Sequence, residues 1–319
     1  MTQSSTNGHS ITAQSRPHFA HLLDLCGPLP PLRTAVICPE EETALAGALL
    51  AANENLIEPI LVGDRIKIQE TAAAASVDIS AYEIVDAEGE DGAAHTGVDL
   101  VIAGRADGLM KGFIHSDTYL SAVIRKKDGL RTAQRTSHCF VMDVPNWPKP
   151  VIITDAALNV APEVKHKISI AQNAVDLARA LEIEEPKVAV LSAVESPNPA
   201  IASSVEARAV AEAAQDGAVV GGLVDGPFAL DNAVSIEAAD LKGITSPVAG
   251  KADVLLVPSI EAGNILFKAL TFMCASETAG LVVGAKVPVI LTSRADSEEA
   301  RIASCALAVL YDRFLKSAG

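Results

Sequence analysis

Aromatic residues are scarce: Phe, Tyr and Trp together make up 3% of the 319 residues. Readers of nucleic-acid bases depend on exposed rings for stacking, so this composition excludes an aromatic-lined nucleic-acid binder. Positive charge is also short, with Lys+Arg 25 against Asp+Glu 40 and a net charge of −15. That balance excludes broad binding to a phosphate backbone, but it allows a small anion held by a few local cations. The five cysteines, Cys26, Cys38, Cys139, Cys274 and Cys305, are odd in number and form no Cys-x-x-Cys pair. Neither a disulfide framework nor a zinc knuckle is implied, and the expectation is buried thiols in a reducing cytoplasm. No apolar run approaches the roughly 18 residues that span a bilayer. Residues 1–17 are polar, lack an apolar signal core and are expected to be a flexible tail. These absences predict a cytoplasmic protein with no membrane and no nucleic-acid partner.

What is present is apolar substance: 49% of the residues belong to the hydrophobic set, enough for one large or two medium cores. Short β-branched runs alternate with alanine-rich stretches, which predicts α/β layers with largely parallel sheets. Strands are expected at 34–38, 57–62, 82–85 and 99–103, with a helix opening at Pro39 and Glu40 to Glu42, where proline and carboxylates suit a first turn. The run Asn146-Trp147-Pro148-Lys149-Pro150 interrupts regular structure and suggests a crossover between domains. Beyond it, strands are expected at 151–154, 187–192, 218–224, 252–257 and 281–292, the last broken at Gly284 to Pro288. Helices are expected at 163–181, 200–215, 262–274 and 296–316.

Ligands of parallel α/β sheets gather at the carboxyl ends of strands, where loops and helix N-termini converge. Four segments occupy such places. Gly104 to Gly112, continuing to His115 and Ser116, spaces three glycines between an expected strand and a helix, but it matches neither the dinucleotide fingerprint nor the P-loop. Asp225-Gly226-Pro227 to Asp231-Asn232 reads as turn chemistry with a helix cap. In the third segment Gly263 and Asn264 open a helix, and Lys268 follows Asn264 by one turn; an amide and an ammonium there suit an anionic acyl phosphate. In the fourth, a strand delivers Ser293 and Arg294, and Asp296 or Ser297 caps the next helix. Arg294 has the planar fork that grips phosphate, and Ser293 a hydroxyl that donates to a carbonyl oxygen. A basic run, Arg125, Lys126, Lys127, Arg131 and Arg135, reverses the local charge; it reads equally as an anion site or as a solvated face.

The stretch from Ala252 to Glu299, with Gly226-Pro227 to Ser235 before it, resembles the phosphate acyltransferase family of acetyl- and butyryltransferases. Ile260-Glu261-Ala262-Gly263-Asn264 and Leu291-Thr292-Ser293-Arg294-Ala295-Asp296-Ser297 resemble the butyryl branch more closely than the acetyl branch. Gly104 to His115 and Asp155-Ala156-Ala157-Leu158-Asn159 also fit, so the resemblance covers roughly residues 18–319. It implies two α/β/α domains, 18–148 plus 296–319 and 149–295, with the active site in the cleft between them. It implies reversible acyl transfer between coenzyme A and inorganic phosphate, by direct thiol attack on the acyl phosphate. Coenzyme A is then a co-substrate, with no permanently bound cofactor, no metal site, and a homodimer as the assembly.

Carried to this chain, the resemblance makes Ser293 the hydroxyl that steadies the transition state and Arg294 the phosphate-binding arginine. Ala300 stands where the acetyl branch has its carboxylate; Asp296, Glu298 and Glu299 lie nearby, none of them an aligned match, and Asp296 is taken as the candidate base. Gly263, Asn264, Lys268, His115, Arg125 and Arg135 are the candidate substrate-binding residues. Ala122 replaces an arginine of the acetyl branch, with Arg125 three residues later as a substitute. Two alternatives remain open. One is a metal-dependent hydroxy-acid dehydrogenase on a similar architecture, which the seven scattered histidines and the missing dinucleotide fingerprint disfavour. The other is a regulatory binder of coenzyme A or acyl phosphate that has lost catalysis, motivated by the missing carboxylate.

Overall fold

The computed structural model describes residues 17–292 and 296–318. The chain opens with α1 (Pro17–Cys26), β1 (Leu32–Ile37), α2 (Glu42–Asn53), β2 (Ile57–Gly63), α3 (Arg65–Ala74) and β3 (Glu83–Asp86). It continues through α4 (Gly89–Ile102), β4 (Gly108–Lys111), α5 (Ser116–Val123), β5 (Ser137–Asp143) and β6 (Val151–Thr154). Then come α6 (Val164–Ala180), β7 (Lys187–Leu191), α7 (Ala202–Ala213), β8 (Leu223–Phe228), α8 (Leu230–Val234) and α9 (Ile236–Leu241). The last elements are β9 (Val254–Leu256), α10 (Ile260–Met273), β10 (Glu277–Val283), β11 (Val289–Ile290) and α11 (Glu298–Ala318).

Local chemistry explains several boundaries and corrects others. α2 starts at Glu42 rather than Pro39, because the Glu41 carboxylate caps it by accepting the Ala44 N–H at 3.0 Å. The run 99–103, expected as a strand, is the last turn of α4 and its cap. Val98, Leu100 and Val101 are buried there, so packing overrides the β-propensity of the run. The strand lies instead at β4, inside the segment expected to be a loop. β8 begins five residues later than expected and takes in Asp225, Gly226 and Pro227. Proline is tolerated there because β8 is an edge strand of the sheet. The last expected strand divides into β10, which starts at Glu277, and the short β11, joined through Gly284 at φ +80°.

All eleven strands join one sheet, in the order β3-β2-β1-β4-β11-β10-β5-β6-β9-β7-β8. β3, β2, β1, β4 and β11 run parallel, and so do β6, β9, β7 and β8. Between them β10 is antiparallel to both β11 and β5, and β5 is antiparallel to β6. The two parallel wings therefore point in opposite directions. Their pairing brings Met110, Ile290, Leu281, Cys139 and Thr154 into one row across the sheet. Carboxyl ends of both wings thus reach the same level in the middle.

The two faces of the sheet are covered differently. On one, a single cluster extends from Phe19 and Leu45 through Cys139, Val141 and Leu281 to Val188, and α11 packs there against α1, α2 and α6. On the other, one cluster of Ala35, Ile37, Leu109 and Val289 lies under α4 and α5. A separate cluster of Met142, Ile153, Ala189 and Leu255 lies near α8 to α10. Side chains alternate along a strand, so Lys111 and Leu291, and His138 and Phe140, project on this divided face. The gap between its two clusters is bordered by Lys111, His138, Phe140 and Leu291.

Candidate active site

A cavity of about 440 Å³ fills that gap. Lys111, Ile114, His115 and Ser116 line it from the end of β4 and the entry to α5. His138 and Phe140 form its floor on β5, and Ala157 and Phe267 close the side toward β6 and α10. Leu291, Thr292 and Asp296 border it along the path from β11 to α11. The cavity thus stands at the carboxyl ends of β4, β11 and β6, where parallel sheets collect ligands.

Two basic groups are buried near Thr292. Lys111 is 7% exposed and its Nζ lies 3.4 Å from the Gly112 carbonyl. Arg301 is 5% exposed, donates from Nη1 to the Thr43 carbonyl at 2.9 Å, and shares a small adjoining recess with Lys111 and Thr292. Buried cations are costly unless they meet negative charge. The Glu41 carboxylate lines the same recess and interacts with Arg301, so charges of both signs meet at this end of the cavity. At its rim, His115 donates its backbone N–H to Glu90 at 2.9 Å, and Nδ1 of its ring lies 2.9 Å from the same carboxylate. That backbone bond is the main reason the Glu90 carboxyl stays below its usual range.

The floor is uncharged. His138 is 1% exposed, and burial pushes its imidazole down to about 3, far below the ordinary 6.5. Among the described residues neither ring nitrogen has a hydrogen-bond partner in good geometry, although the Leu291 carbonyl is nearby. Gly280 makes room for the ring, since a Cβ there would stand 3.1 Å from both Cε1 and Nε2 of His138.

Ala157 is held by Asp155, the buried residue that begins the Asp155–Asn159 motif. The Asp155 carboxylate accepts the backbone N–H groups of Ala157 and Leu158 at 3.0 Å and of Asn159 at 3.2 Å, and the Asn159 side-chain amide at 2.6 Å. Asn159 Oδ1 accepts from Nε of Arg135 at 2.7 Å. A side-chain network thus fixes the loop that forms one wall.

The sequence candidates fall in different places. His115 and Asp296 line the cavity. Ser293 and Arg294 lie outside the described residues; Thr292 and Asp296, which flank them, both border the cavity. Arg135 lines a neighbouring cavity of about 190 Å³ with Arg131 and Asn159. Arg125 does not line the main cavity: its guanidinium pairs with the Asp99 carboxylate and donates from Nε to the Asp128 carbonyl at 3.0 Å. Asn264 and Lys268 share a face of α10 as their spacing requires, but the cavity is lined from that helix by Phe267. Gly263, one turn before Phe267, is a packing residue. A Cβ there would stand 2.8 Å from Ala156 Cβ and Val257 Cγ2. Gly263→Val should therefore lever α10 from the sheet and destabilise the fold by about 1–3 kcal/mol; urea denaturation checks this, and unchanged stability contradicts the packing.

Lys111, Arg301, His138, Phe140 and Phe267 were not among the sequence candidates. The signal for Lys111 lay in its position at the end of a buried strand, which the displaced strand assignment concealed. Among the described residues no cluster of three or more His, Cys, Asp or Glu side chains has metal-site geometry, and no helix is long and apolar enough to cross a membrane.

Fold and cavity together define an α/β protein with a cavity, lined by basic and aromatic side chains, at the crossing of two parallel wings. A family model described as "Phosphate acetyl/butaryl transferase" matches residues 90–309. The chain is 49% identical over 281 residues to a phosphate acetyltransferase of Rhizobium meliloti, covering 88% of this chain and 89% of that one. It is 44% identical over 293 residues to a phosphate butyryltransferase of Clostridium beijerinckii, covering 92% and 97% respectively. The crystal structure of a branched-chain phosphotransacylase from Enterococcus faecalis V583 superposes with a TM-score of 0.76 at 32% identity, over 88% of this chain and 99% of that one. The chain belongs to the phosphate acetyl/butyryl transferase family and is an acyltransferase.

Proposed function

We propose that this chain transfers a short acyl group reversibly between coenzyme A and inorganic phosphate. The observation that carries the reading is the family match over residues 90–309, and the central cavity gives the reaction a place. The thiol sulfur attacks the carbonyl carbon of the acyl phosphate, the carbon–oxygen bond to phosphate breaks, and phosphate leaves. The thiol proton passes to a base, because the thiolate is the strong nucleophile. Asp296 is the carboxylate we assign to that step, as it borders the cavity. Ala300 is buried and offers no acid.

Lys111 and Arg301, with Arg294, supply the positive field for the phosphate, and Ser293 donates to the carbonyl oxygen as charge gathers on it. Coenzyme A is a co-substrate, and no group need stay permanently bound. Arg294→Ala should raise KM for phosphate and lower turnover, whereas Ser293→Ala should lower turnover with little change in KM. Steady-state kinetics of the two variants test this, and an effect of Ser293→Ala confined to KM contradicts the transition-state role.

The division into 18–148 plus 296–319 and 149–295 belongs to the same proposal, supported by the two separate cores on the cavity face and by α11 packing on α1 and α2. So do a cytoplasmic location and a homodimer, the latter supported by exposed apolar side chains on α10, Ile265, Phe272 and Met273. The experiment for the function is phosphate-dependent release of free thiol from acyl-CoA. Tight binding of coenzyme A without release favours a non-catalytic binder instead.

A further inference from the structure

The sequence has only seven phenylalanines, and two of them meet at this cavity. Phe140 and Phe267 stack with ring centroids 3.9 Å apart and planes within 5°. The His138 ring joins them, 4.2 Å from Phe140 and tilted by 57°. Three rings thus make a continuous wall from the centre of the sheet to α10. The rest of the core is built largely from Ala, Val, Ile and Leu. Phe140 and Phe267 are only half-buried: they pack on the cluster of Met142, Ile153 and Leu255 and line the cavity with the rest of each ring. His138 carries no charge at neutral pH, which keeps the wall uncharged. Lys111, His115 and Ser116 come from a different part of the lining, at the end of β4 and the start of α5. Ala157, held by the Asp155 network, presents only a methyl group to the same space.

We infer that Phe140 and Phe267 form the subsite for the acyl chain and that, with the small side chain of Ala157, they set which chain lengths the enzyme accepts. This rests on the acyl-transfer reading above. A flat, rigid wall loses little entropy when an alkyl chain lies along it. Each methylene buried there favours binding by about fourfold. Phe267 sits on α10 and Ala157 on the Asp155 loop, so the two limit the same space from separate elements. Removing bulk at Phe267 lengthens the accepted chain, and adding bulk at Ala157 shortens it.

The test measures kcat/KM for phosphate-dependent thiol release from acetyl-, butyryl- and hexanoyl-CoA. Phe267→Ala should raise the hexanoyl-to-butyryl ratio at least tenfold, and Ala157→Val should lower the butyryl-to-acetyl ratio at least tenfold. A merely structural role would lower all three rates together and leave the ratios alone. Ratios within twofold of wild type in active variants overturn the subsite while leaving acyl transfer intact. A wild-type enzyme that releases no thiol from any of the three overturns the underlying reading instead. Should Phe267→Ala fail to fold, Ala157→Val decides alone, by its butyryl-to-acetyl ratio and the same criterion.

Discussion

Lys111→Met should lower kcat/KM for acyl transfer by about 10²-fold or more, with much of the loss appearing as a raised KM for phosphate. Methionine keeps most of the length and apolar volume of the lysine stem, so packing at the end of β4 is preserved. The positive charge is lost. Lys111 is 7% exposed on a strand otherwise buried in apolar surroundings, and it lines both the main cavity and the recess it shares with Arg301. In so acidic a chain, a lysine on the cavity lining adds positive field where an anionic substrate would sit. Low-dielectric surroundings strengthen its attraction for phosphate compared with a lysine in water. The check is steady-state kinetics with phosphate and acyl-CoA varied separately, alongside thermal melting. Unchanged KM for phosphate in a folded variant removes Lys111 from the site.

Acidification should destabilise the wild-type protein more than His138→Leu. The His138 imidazole lies at about 3 in the fold and near 6.5 in the unfolded chain. Between those values the unfolded chain binds the proton and the folded one does not. Stability from this group is therefore fully present above pH 6.5 and falls toward pH 3 by about 1.4 kcal/mol per pH unit. By pH 5 the difference amounts to about 2 kcal/mol. Asp155 works in the opposite sense, since burial raises its carboxyl above the ordinary value and disfavours its ionised form in the fold. Comparing the two proteins isolates the histidine, because Asp155 is common to both. Urea unfolding at pH 7 and pH 5 measures the difference. Equal loss of stability in wild type and His138→Leu contradicts the buried neutral ring.

The α/β class and most helices were legible from periodicity, because β-branched and alanine-rich runs alternate along the chain. The central sheet was less legible. β5, which carries the cavity floor, was not anticipated; its Ser-His-Cys-Phe-Val-Met-Asp run mixes polar and apolar residues on both faces. It is buried because β10 and β6 flank it, a pairing that only the tertiary fold decides. The same holds for β4, displaced from 99–103 to 108–111, which hid Lys111 behind a run of glycines. Motif resemblance carried the reading past these errors at His115, which lies on the cavity lining; Asp296, chosen only for its nearness to the unmatched carboxylate position, lies there too. Gly263, expected to bind substrate, is instead a packing position whose missing side chain admits Ala156 and Val257 to the helix surface. The aromatic wall was illegible from one sequence, since Phe140 and Phe267 are far apart along the chain and only the packing of α10 over β5 brings them together.

The most direct measurement is the initial rate at which purified protein liberates free thiol from acetyl-CoA and butyryl-CoA, with and without inorganic phosphate. Acyl transfer at the central cavity gives release that requires phosphate, scales with enzyme, and collapses in Lys111→Met. Thiol release that ignores phosphate, or that survives undiminished in Lys111→Met, contradicts the account.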